Sequence, residues 1–247
     1  MPTENKQKNK YKRILLKLSG EAMKGEGDSV INPEFLEYVA REVSEAVARG
    51  VEVAIVPGGG NIVRGATLSE QTGIERANAD YMGMLATIIN GLALQAVLEK
   101  HGLETRILSA IMMREVAEPF IRRRAIRHME KGRVVILAAG TGLPYVTTDS
   151  GAALRGLELY CDAVLKATQV DGVYTDDPKK NLDATKIDIV DFEEALMNPK
   201  INIMDSAALA LCRDNNVDII VFDLHKPGNL NRILDGELIG TTVTKVK

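Results

Sequence analysis

The sequence has few of the features of a secreted, metal-binding or membrane-spanning protein. It contains two cysteines, no tryptophan and only 4% aromatic residues among 247. Cys161 and Cys212 lack the C-x-x-C spacing of zinc sites, so we predict buried free thiols in a reducing compartment and no metal-binding residues. No apolar run approaches the roughly 18 residues of a membrane span, and the lysine-rich start has no signal-peptide core. These absences predict a cytoplasmic protein without a membrane partner.

An excess of positive charge is also missing. The chain has 31 Lys and Arg residues against 34 Asp and Glu, a formal net charge of −3. Proteins that bind nucleic acids usually carry a basic excess, because contacts to phosphate dominate their affinity. The basic run Arg122-Arg123-Arg124 is more typical of a solvated or subunit-facing helix. We therefore expect no nucleic-acid partner.

The chain does contain a regular alternation of short apolar runs and amphipathic stretches. Such alternation predicts an α/β fold, with a mostly parallel central sheet sandwiched between helices in a single domain. The domain spans 11–247 after a disordered tail at 1–10, and a weaker boundary near 160 separates halves at 11–160 and 161–247. Strands are predicted at 14–18, 51–56, 105–108, 133–138, 163–167 and 218–222, with an edge strand or hairpin at 240–246. Helices are predicted at 33–49, 78–101, 115–131, 149–160, 191–197 and 205–214, with Asn32, Asn78, Asp149 and Asp205 as N-caps.

Four glycine-containing segments each follow one of these strands. Because the carboxyl ends of parallel strands share one edge of a sheet, the four segments should meet there. Glycine lets the backbone approach a ligand and leaves N–H groups free for phosphate oxygens. The order indicates phosphoryl transfer, although neither GxxxxGK[ST] nor a first-strand GxGxxG is present. The segments are Lys17-Leu18-Ser19-Gly20, Gly58-Gly59-Gly60-Asn61 with Arg64, Gly140 to Asp149, and Lys166-Ala167-Thr168 with Asp171-Gly172-Val173-Tyr174.

Two lysines, Lys17 and Lys166, stand at the ends of apolar strands. A buried ammonium group is unfavourable without an anion, so both favour a phosphate ligand, although a lysine that extends to solvent explains either one alone. Arg64 adds a bidentate donor beside the triple glycine. Asp205 is either a helix N-cap or the carboxylate that holds the lysines. Two such lysines suit a reaction in which negative charge moves between oxygens.

Together with Asp80-Tyr81-Met82-Gly83-Met84-Leu85-Ala86-Thr87, these segments resemble the bacterial uridylate kinases of the amino acid kinase family. The resemblance covers about residues 11–245. Single glycine motifs are shared with acetylglutamate, carbamate and aspartate kinases, whereas 80–87 and 140–149 are similar to the UMP-specific branch. The resemblance implies transfer of the ATP γ-phosphoryl group to UMP in pyrimidine nucleotide biosynthesis. It also implies Mg²⁺ held mainly by ATP phosphates, a homo-oligomer that is a hexamer, and GTP and UTP as effectors.

The resemblance further implies roles for individual residues. Asp80 is expected at the ribose of UMP, and the backbone of the 141–148 segment at uracil. Pro57, Leu143 and Tyr145-Val146 depart from the residues frequent in this branch.

Catalysis is assigned to Lys17, Lys166 and Asp205. ATP binding is assigned to Lys17, Leu18, Ser19, Gly20, Gly60, Arg64, Thr168, Tyr174 and Asp177. UMP binding is assigned to Gly59, Asp80, Thr141, Gly142, Leu143, Pro144, Tyr145, Val146, Thr147 and Thr148, and a GTP-responsive loop to Gly25, Glu26, Gly27, Asp28 and Ser29.

Two other functions are compatible with the same residues. One is a kinase of this family that phosphorylates a carboxylate or carbamate. The other is a nucleotide-sensing regulatory protein that binds UMP or UTP without turnover and uses the basic helix near Arg123 on a partner. Retention of both Lys17 and Lys166 argues against a loss of catalysis.

Overall fold

The computed structural model of the chain describes residues 9–25, 29–176, 181, 183–201 and 203–246. The strands are β1 Arg13–Leu18, β2 Glu52–Pro57, β3 Thr105–Ser109, β4 Glu118–Pro119, β5 Val134–Ala138, β6 Ala163–Thr168, β7 Val173–Tyr174, β8 Lys186–Ile187, β9 Ile189–Asp191, β10 Asp218–Asp223 and β11 Thr241–Thr244. The α-helices are α1 Pro33–Ala48, α2 Gly65–Thr72, α3 Arg76–Lys100, α4 Arg122–Glu130, α5 Thr148–Glu158, α6 Phe192–Met197, α7 Ser206–Asn215 and α8 Asn229–Leu234. A short 3-10 helix, Glu21–Met23, follows β1.

The central sheet has nine strands in the order β4-β3-β5-β2-β1-β6-β10-β11-β9. The strands from β4 to β10 in this order are all parallel to their neighbours. Strand β11 runs antiparallel to β10 and parallel to β9, while β7 and β8 pair separately. The predicted mostly parallel sheet is therefore confirmed, and the segment 240–246 contributes β11, which lies inside the sheet and not at its edge.

The core has two layers, one on each face of the sheet. The first contains inward-facing residues of α1, α3 and α8, and the second those of α4, α5, α6 and α7. Successive side chains of a strand point to opposite faces. In β1, Ile14 and Leu16 pack in the first layer and Leu15 in the second. Lys17 therefore points to the same face as Leu15, toward α5.

The predicted elements agree with the structure except in three places. The helix predicted at 115–131 begins only at Arg122, because Glu118–Pro119 pairs with β3 as strand β4. Asn78 is not an N-cap, since α3 already begins at Arg76. Thr147, and not Asp149, caps α5 by accepting a hydrogen bond from the Ser150 N–H at 3.1 Å. The Thr147 hydroxyl accepts the Ser150 N–H, which has no partner within the helix, so the Asp149 carboxylate is available for other partners.

The predicted caps Asn32 and Asp205 and the predicted free thiols are confirmed. Asn32 accepts from the Phe35 N–H and Asp205 from the Ala208 N–H. Cys161 and Cys212 are buried and unpaired, and burial raises the pKa of each thiol to about 12.

The predicted N-terminal tail is shorter than expected. The Asn9 side chain donates to the Arg49 carbonyl at 3.0 Å, and the Lys10 N–H donates to the Leu234 carbonyl at 2.8 Å. Residues 9 and 10 therefore belong to the folded part, while 1–8 lie outside the described residues.

Helix α3 is long and apolar enough, by length and composition alone, to cross a membrane. No such segment was expected from the sequence. Core helices pass the same test, and the inner face of α3 packs in the first core layer through residues such as Met84, Ile88 and Leu94. Its outer face exposes five large apolar side chains, Tyr81, Met82, Leu85, Ile89 and Leu92. The helix is thus a layer of the sandwich with an apolar outer surface.

A carboxyl group is buried between α1 and the start of α8. Glu42 is only 5% exposed, and its Oε1 accepts the Gly228 N–H at 3.0 Å. The Tyr38 hydroxyl lies beside this carboxyl group. Burial raises the pKa of Glu42 above its ordinary value of 4.5, which the hydrogen bond from Gly228 only partly opposes. Burial therefore favours protonation of this carboxyl group more in the folded protein than in the unfolded chain.

This pKa predicts how stability depends on pH. Because the folded state holds the Glu42 proton more tightly than the unfolded state, the free energy of unfolding should fall as pH rises above 4.5 through the raised pKa. Glu42→Gln keeps the acceptor for Gly228 and removes the charge. We expect the variant to be more stable than the parent at pH 8, with a smaller difference at pH 5.

Urea unfolding at the two pH values measures the effect. Glu45→Gln is the control, because Glu45 lies on the same helix but is exposed. A pH-independent difference between Glu42→Gln and the parent would contradict the assignment.

Candidate active site

The loops after β1 and β2 pack backbone against backbone. The Gly58 N–H donates to the Leu18 carbonyl at 2.8 Å. A Cβ atom at Gly20 would lie 2.4 Å from the Gly60 nitrogen, and one at Gly58 would lie 2.6 Å from the Gly20 nitrogen. None of Gly58, Gly59 and Gly60 has a φ between +20° and +160°. Gly20 and Gly58 are thus required by the close approach of the two loops, and not by the left-handed conformation that an anion-binding nest uses. Gly59 is required by its approach to α3, where a Cβ atom would lie 2.6 Å from the Gly83 carbonyl oxygen, whereas a Cβ atom at Gly60 would meet only the Arg64 side chain at 3.4 Å.

A pair of side-chain amides fixes the glycine loop to α3. The fully buried Asn90 donates to the Gly58 carbonyl and to Asn61 Oδ1, each at 2.7 Å. Asn61 donates to Asn90 Oδ1 at 3.0 Å and to the Val30 carbonyl at 2.8 Å. All four amide N–H bonds of the pair have an acceptor, so Asn61 in the glycine motif is a structural residue.

The segment after β5 contains several left-handed residues. Ala139, Gly140 and Tyr145 have φ angles of 62°, 56° and 66°. Such angles are unfavourable for non-glycine residues and persist where surrounding contacts hold them. Helix α3 supplies two of these contacts: Thr87 Oγ1 accepts the Ala139 N–H at 2.7 Å, and Asp80 Oδ2 accepts the Tyr145 N–H at 2.8 Å. The helix therefore sets the path of the predicted UMP segment.

The two predicted catalytic lysines lie side by side. Lys17 and Lys166 are register partners on the adjacent parallel strands β1 and β6, and both side chains point to the face covered by α5. The carboxylate of Asp149, in the first turn of α5, lies between them. Its Oδ1 is 2.8 Å from Lys17 Nζ, and its Oδ2 accepts from Lys166 Nζ at 2.8 Å. Lys166 also donates to the Ile203 carbonyl.

The charges of this cluster depend on one another. Burial by itself raises the pKa of Asp149, but Lys17 and Lys166 outweigh it and hold that pKa below its ordinary value. Burial lowers the pKa of Lys166, an effect that Asp149 opposes. Two ammonium groups and one carboxylate leave a net positive charge at the ends of two strands. An arrangement of this kind attracts anionic oxygens.

Asp205 contacts the start of α5 and not the lysines themselves, to which it was predicted to bind. In the described part of the chain, the carboxylate that contacts both lysines is Asp149, whereas Asp205 accepts from the hydroxyl groups of Thr147 and Ser150. Burial raises the pKa of Asp205, but these hydrogen bonds together with that from the Ala208 N–H lower it overall. Asp205 therefore fixes the start of α5, from which Asp149 extends, to the start of α7.

A first cleft of about 470 Å³ opens beside Lys17. It gathers most of the residues predicted for phosphate and UMP binding, and it also contains Glu21 and Arg76. The Arg64 guanidinium pairs with Glu21 at this cleft, and Arg76 Nε pairs with Asp80 at 2.9 Å. The predicted residues in its lining are Lys17, Ser19, Gly20, Gly59, Gly60, Arg64, Asp80, Thr141, Leu143, Val146, Thr147 and Thr148.

A second cleft of about 700 Å³ opens beside Lys166. Predicted ATP residues Thr168 and Tyr174 line it, and the Tyr174 hydroxyl donates to Asp171 at 2.9 Å. Lys200 and Lys226 add positive charge to the lining. Both clefts have the size of small-molecule sites. Because Lys17 lines one and Lys166 the other, the Lys17–Asp149–Lys166 cluster lies where the two clefts approach each other.

Several predicted site residues lie elsewhere. Leu18 is fully buried in the first core layer, and Gly142, Pro144 and Tyr145 belong to the 140–148 segment but not to the lining of the first cleft. Gly25 and Ser29 are joined by a backbone hydrogen bond of 3.0 Å. Asp177, together with Glu26, Gly27 and Asp28, lies outside the described residues.

Several site residues could not be picked out from the sequence: Glu21, Asp149, Arg76, Lys200 and Lys226. Asp149 was treated as a helix cap. The available signal was its place at the end of the glycine-containing segment 140–149, which follows a predicted strand. Arg76 precedes Asp80 by four residues, which is the spacing of a helical ion pair. Lys200 and Lys226 carried no motif, because their place in the second cleft follows only from the fold.

Within residues 9–25, 29–176, 181, 183–201 and 203–246, no group of three His, Cys, Asp or Glu side chains could hold a metal ion. Among these residues, the two clefts are lined by six Lys and Arg side chains and five carboxylates. Four of these carboxylates contact a lysine, an arginine or a hydroxyl group, and Asp223 contacts His225. The net positive charge lies at the Lys17–Asp149–Lys166 cluster, which suits ligands that bring their own negative charge.

Comparison with known proteins gives the same picture over nearly the whole chain. The model of the amino acid kinase family matches residues 12–223. The crystal structure of UMP kinase from Bacillus anthracis is 43% identical, with a TM-score of 0.92 over 96% of this chain and 97% of that one. UMP kinase from Ureaplasma parvum is 38% identical, with a TM-score of 0.88 over 95% and 99% of the chains. Uridylate kinase from Archaeoglobus fulgidus is 26% identical, with a TM-score of 0.73 over 94% and 99%.

The matched residues include both lysine-bearing strands, the triple glycine and the 140–148 segment. With a family model that covers most of the chain and relatives that align over nearly all of their length, the conclusion is direct: this chain belongs to the amino acid kinase family.

Proposed function

We propose that this protein is a UMP kinase, which transfers the γ-phosphoryl group of ATP to UMP and releases ADP and UDP. The observation that carries the proposal is the pair of clefts that approach each other at Lys17, Asp149 and Lys166. Two substrates in these clefts would meet at the lysines. The similarity to UMP kinases of Bacillus anthracis and Ureaplasma parvum supports UMP as the acceptor.

The proposed reaction is a direct in-line transfer. A phosphate oxygen of UMP forms the new bond to the γ-phosphorus of ATP while the bond to the bridging oxygen of ADP breaks. The UMP oxygen is already ionised, so no strong general base is required. Lys17 and Lys166 would stabilise the charge on the transferring group, and Asp149 would keep both ammonium groups in place. Asp205 would act on the same cluster through Thr147 and Ser150.

The two substrates are assigned to different halves of the chain. The first cleft, lined entirely by residues of the 11–160 half, would hold UMP between Asp80 and the 141–148 segment, with its phosphate near Gly59. The second cleft, lined by residues of the 161–247 half, would hold the ATP base and ribose near Thr168 and Tyr174. Lys17, Ser19, Gly20 and Gly60 would then contact ATP phosphates that extend toward the first cleft. Mg²⁺ would arrive as part of MgATP, where it neutralises phosphate charge.

A homo-oligomer, which we expect to be a hexamer, is part of the proposal. The exposed apolar outer face of α3, formed by Tyr81, Met82, Leu85, Ile89 and Leu92, supports burial against a second copy of the chain. Sedimentation of the intact protein would give its mass relative to the 26.9 kDa chain. Regulation by GTP and UTP, and a cytoplasmic location, are also proposed; they depend on the resemblance to the uridylate kinases.

The acceptor distinguishes this proposal from another kinase activity. UMP should be phosphorylated at least about 10²-fold more efficiently than CMP, because uracil and cytosine differ at N3 and the 4-position and a pocket that pairs with one leaves polar groups unpaired with the other. A coupled assay of ADP release with UMP, CMP, acetylglutamate and carbamate measures this preference. Equal turnover of UMP and CMP, or preference for a carboxylate, would overturn the assignment.

Asp80 should contribute to UMP binding. Asp80→Ala removes a charged acceptor at the first cleft and should weaken UMP affinity by about 1.5–3 kcal/mol, measured by calorimetry. Asp80→Asn is the matched variant, because its side-chain oxygen can still accept the Tyr145 N–H. If Asp80→Asn binds UMP as tightly as the parent, the carboxylate acts on the loop and not on ribose. Unchanged affinity in both variants would remove Asp80 from the site.

A substitution at Lys17 distinguishes an enzyme from a nucleotide sensor. Lys17→Met keeps the apolar character of β1 and removes one ammonium group from the cluster, so kcat should fall by about 10²–10³-fold while UMP affinity changes little. Lys12→Met, at the exposed residue immediately before the same strand, is the control and should retain full activity. Near-normal kcat in Lys17→Met would show that the lysine has no catalytic role.

A further inference from the structure

A buried arginine outside both clefts contacts the segment proposed to read UMP. Arg155, near the end of α5, is 7% exposed and lines neither cleft. Its Nη2 donates to the Gly140 carbonyl at 3.1 Å, and its Nη1 pairs with Glu158 at 2.5 Å. The guanidinium carbon lies 3.8 Å from the centre of the Phe120 ring. Two donors and one face of this side chain are therefore committed to a neighbour on the same helix and to two distant segments of the chain.

The Gly140 carbonyl marks the point where the chain leaves β5. Ala139 and Gly140 are both left-handed, and they turn the backbone from the strand toward the first cleft, which Gly140 and Thr141 line. Left-handed conformations are unfavourable for alanine by about 1–2 kcal/mol, so this turn requires outside contacts. Thr87 holds the Ala139 N–H from the α3 side. Arg155 holds the Gly140 carbonyl from the α5 side.

The other end of the segment is fixed by the same helix. Thr147 caps α5, and Asp149 in its first turn contacts both lysines. Arg155 thus connects the first residue of the 140–148 segment to the body of the helix that begins at its last residue. A closed arrangement of this kind leaves little freedom for the intervening backbone, whose N–H and C=O groups are proposed to contact uracil.

We infer that Arg155 is a positioning residue for the acceptor: its guanidinium holds the Ala139–Gly140 turn so that the segment after it is shaped for the nucleotide before UMP binds. The inference rests on the proposed function of the first cleft. A guanidinium suits this task and an ammonium does not, because only its planar fork can bond Glu158 and Gly140 together while its face lies on Phe120.

Steady-state kinetics of Arg155→Lys test the inference. Lysine keeps the charge near Glu158 but cannot make both bonds and the ring contact. We expect KM for UMP to rise about tenfold, the factor that corresponds to the loss of one charge-assisted hydrogen bond, with KM for ATP unchanged and kcat within about threefold of the parent. Glu158→Gln leaves Arg155 in place as the donor to the Gly140 carbonyl, so it should have a smaller effect on KM for UMP.

Arg13→Lys is the matched control. Arg13 also pairs with a glutamate, Glu52, and donates to a backbone carbonyl, that of the α5 C-cap Leu159, each at 2.5 Å, but it contacts no residue of the 140–148 segment and lines neither cleft. It should lower thermal stability without a change in KM for UMP. If Arg155→Lys behaves like this control, or raises KM for both substrates equally, the residue is merely structural and the inference is wrong.

Amide hydrogen exchange decides the same question without turnover. In Arg155→Lys, peptides covering 139–147 should exchange faster than in the parent while peptides from β1 and β6 are unchanged. Unaltered exchange in 139–147 would overturn the inference even if the kinetics changed. An unmodified protein that does not phosphorylate UMP would refute the proposed function, and the exchange result would still show whether Arg155 holds the segment.

Discussion

The arrangement of the site depends on one electrostatic constraint, the burial of two lysines next to each other. Parallel strands lie about 4.8 Å apart, and the register of β1 and β6 makes Lys17 and Lys166 neighbours on one face. Two desolvated ammonium groups at this separation repel each other unless an anion lies between them. Asp149 supplies that anion from the first turn of α5. Removing one partner from a buried ionic cluster costs about 3–5 kcal/mol, so the start of α5 is tightly fixed.

The other parts of the site follow from this fixed point. Asp205 joins the start of α7 to the start of α5 through Thr147 and Ser150, and the 140–148 segment must reach α5 from the end of β5. Helix α3 holds that segment from the opposite side through Thr87 and Asp80. The amide pair of Asn61 and Asn90 ties the glycine loop to the same helix. One helix therefore positions both walls of the first cleft, and its outer face carries the apolar surface proposed for assembly.

The fold could be predicted from the sequence where hydrophobic periodicity is strong. Six strands and five helices were predicted within about two residues of their observed ends, because each buries a continuous apolar face. They are β1, β2, β3, β5, β6 and β10, and α1, α3, α5, α6 and α7. The helix before β5 was placed too early, since the pattern cannot show that Glu118–Pro119 pairs with β3. The short elements α2, α8, β4, β7, β8 and β9 were missed because they are too brief to show a period. Their existence depends on contacts with distant segments.

The sequence by itself determined which residue types gather at the carboxyl edge of the sheet. Lys17 and Lys166 stand at the ends of predicted strands, and the triple glycine and the 140–148 segment follow predicted strands. In a parallel sheet such ends lie together. Only the tertiary structure decided which carboxylate joins the lysines, because Asp149 and Asp205 both stand at predicted helix starts. In the folded protein Asp149 contacts the two lysines, whereas Asp205 contacts hydroxyl groups at the start of α5. It also divided the predicted residues between two clefts and brought Arg155 to Gly140. These contacts join residues whose side chains meet only when helices pack on the sheet, and local sequence patterns carry no information about that packing.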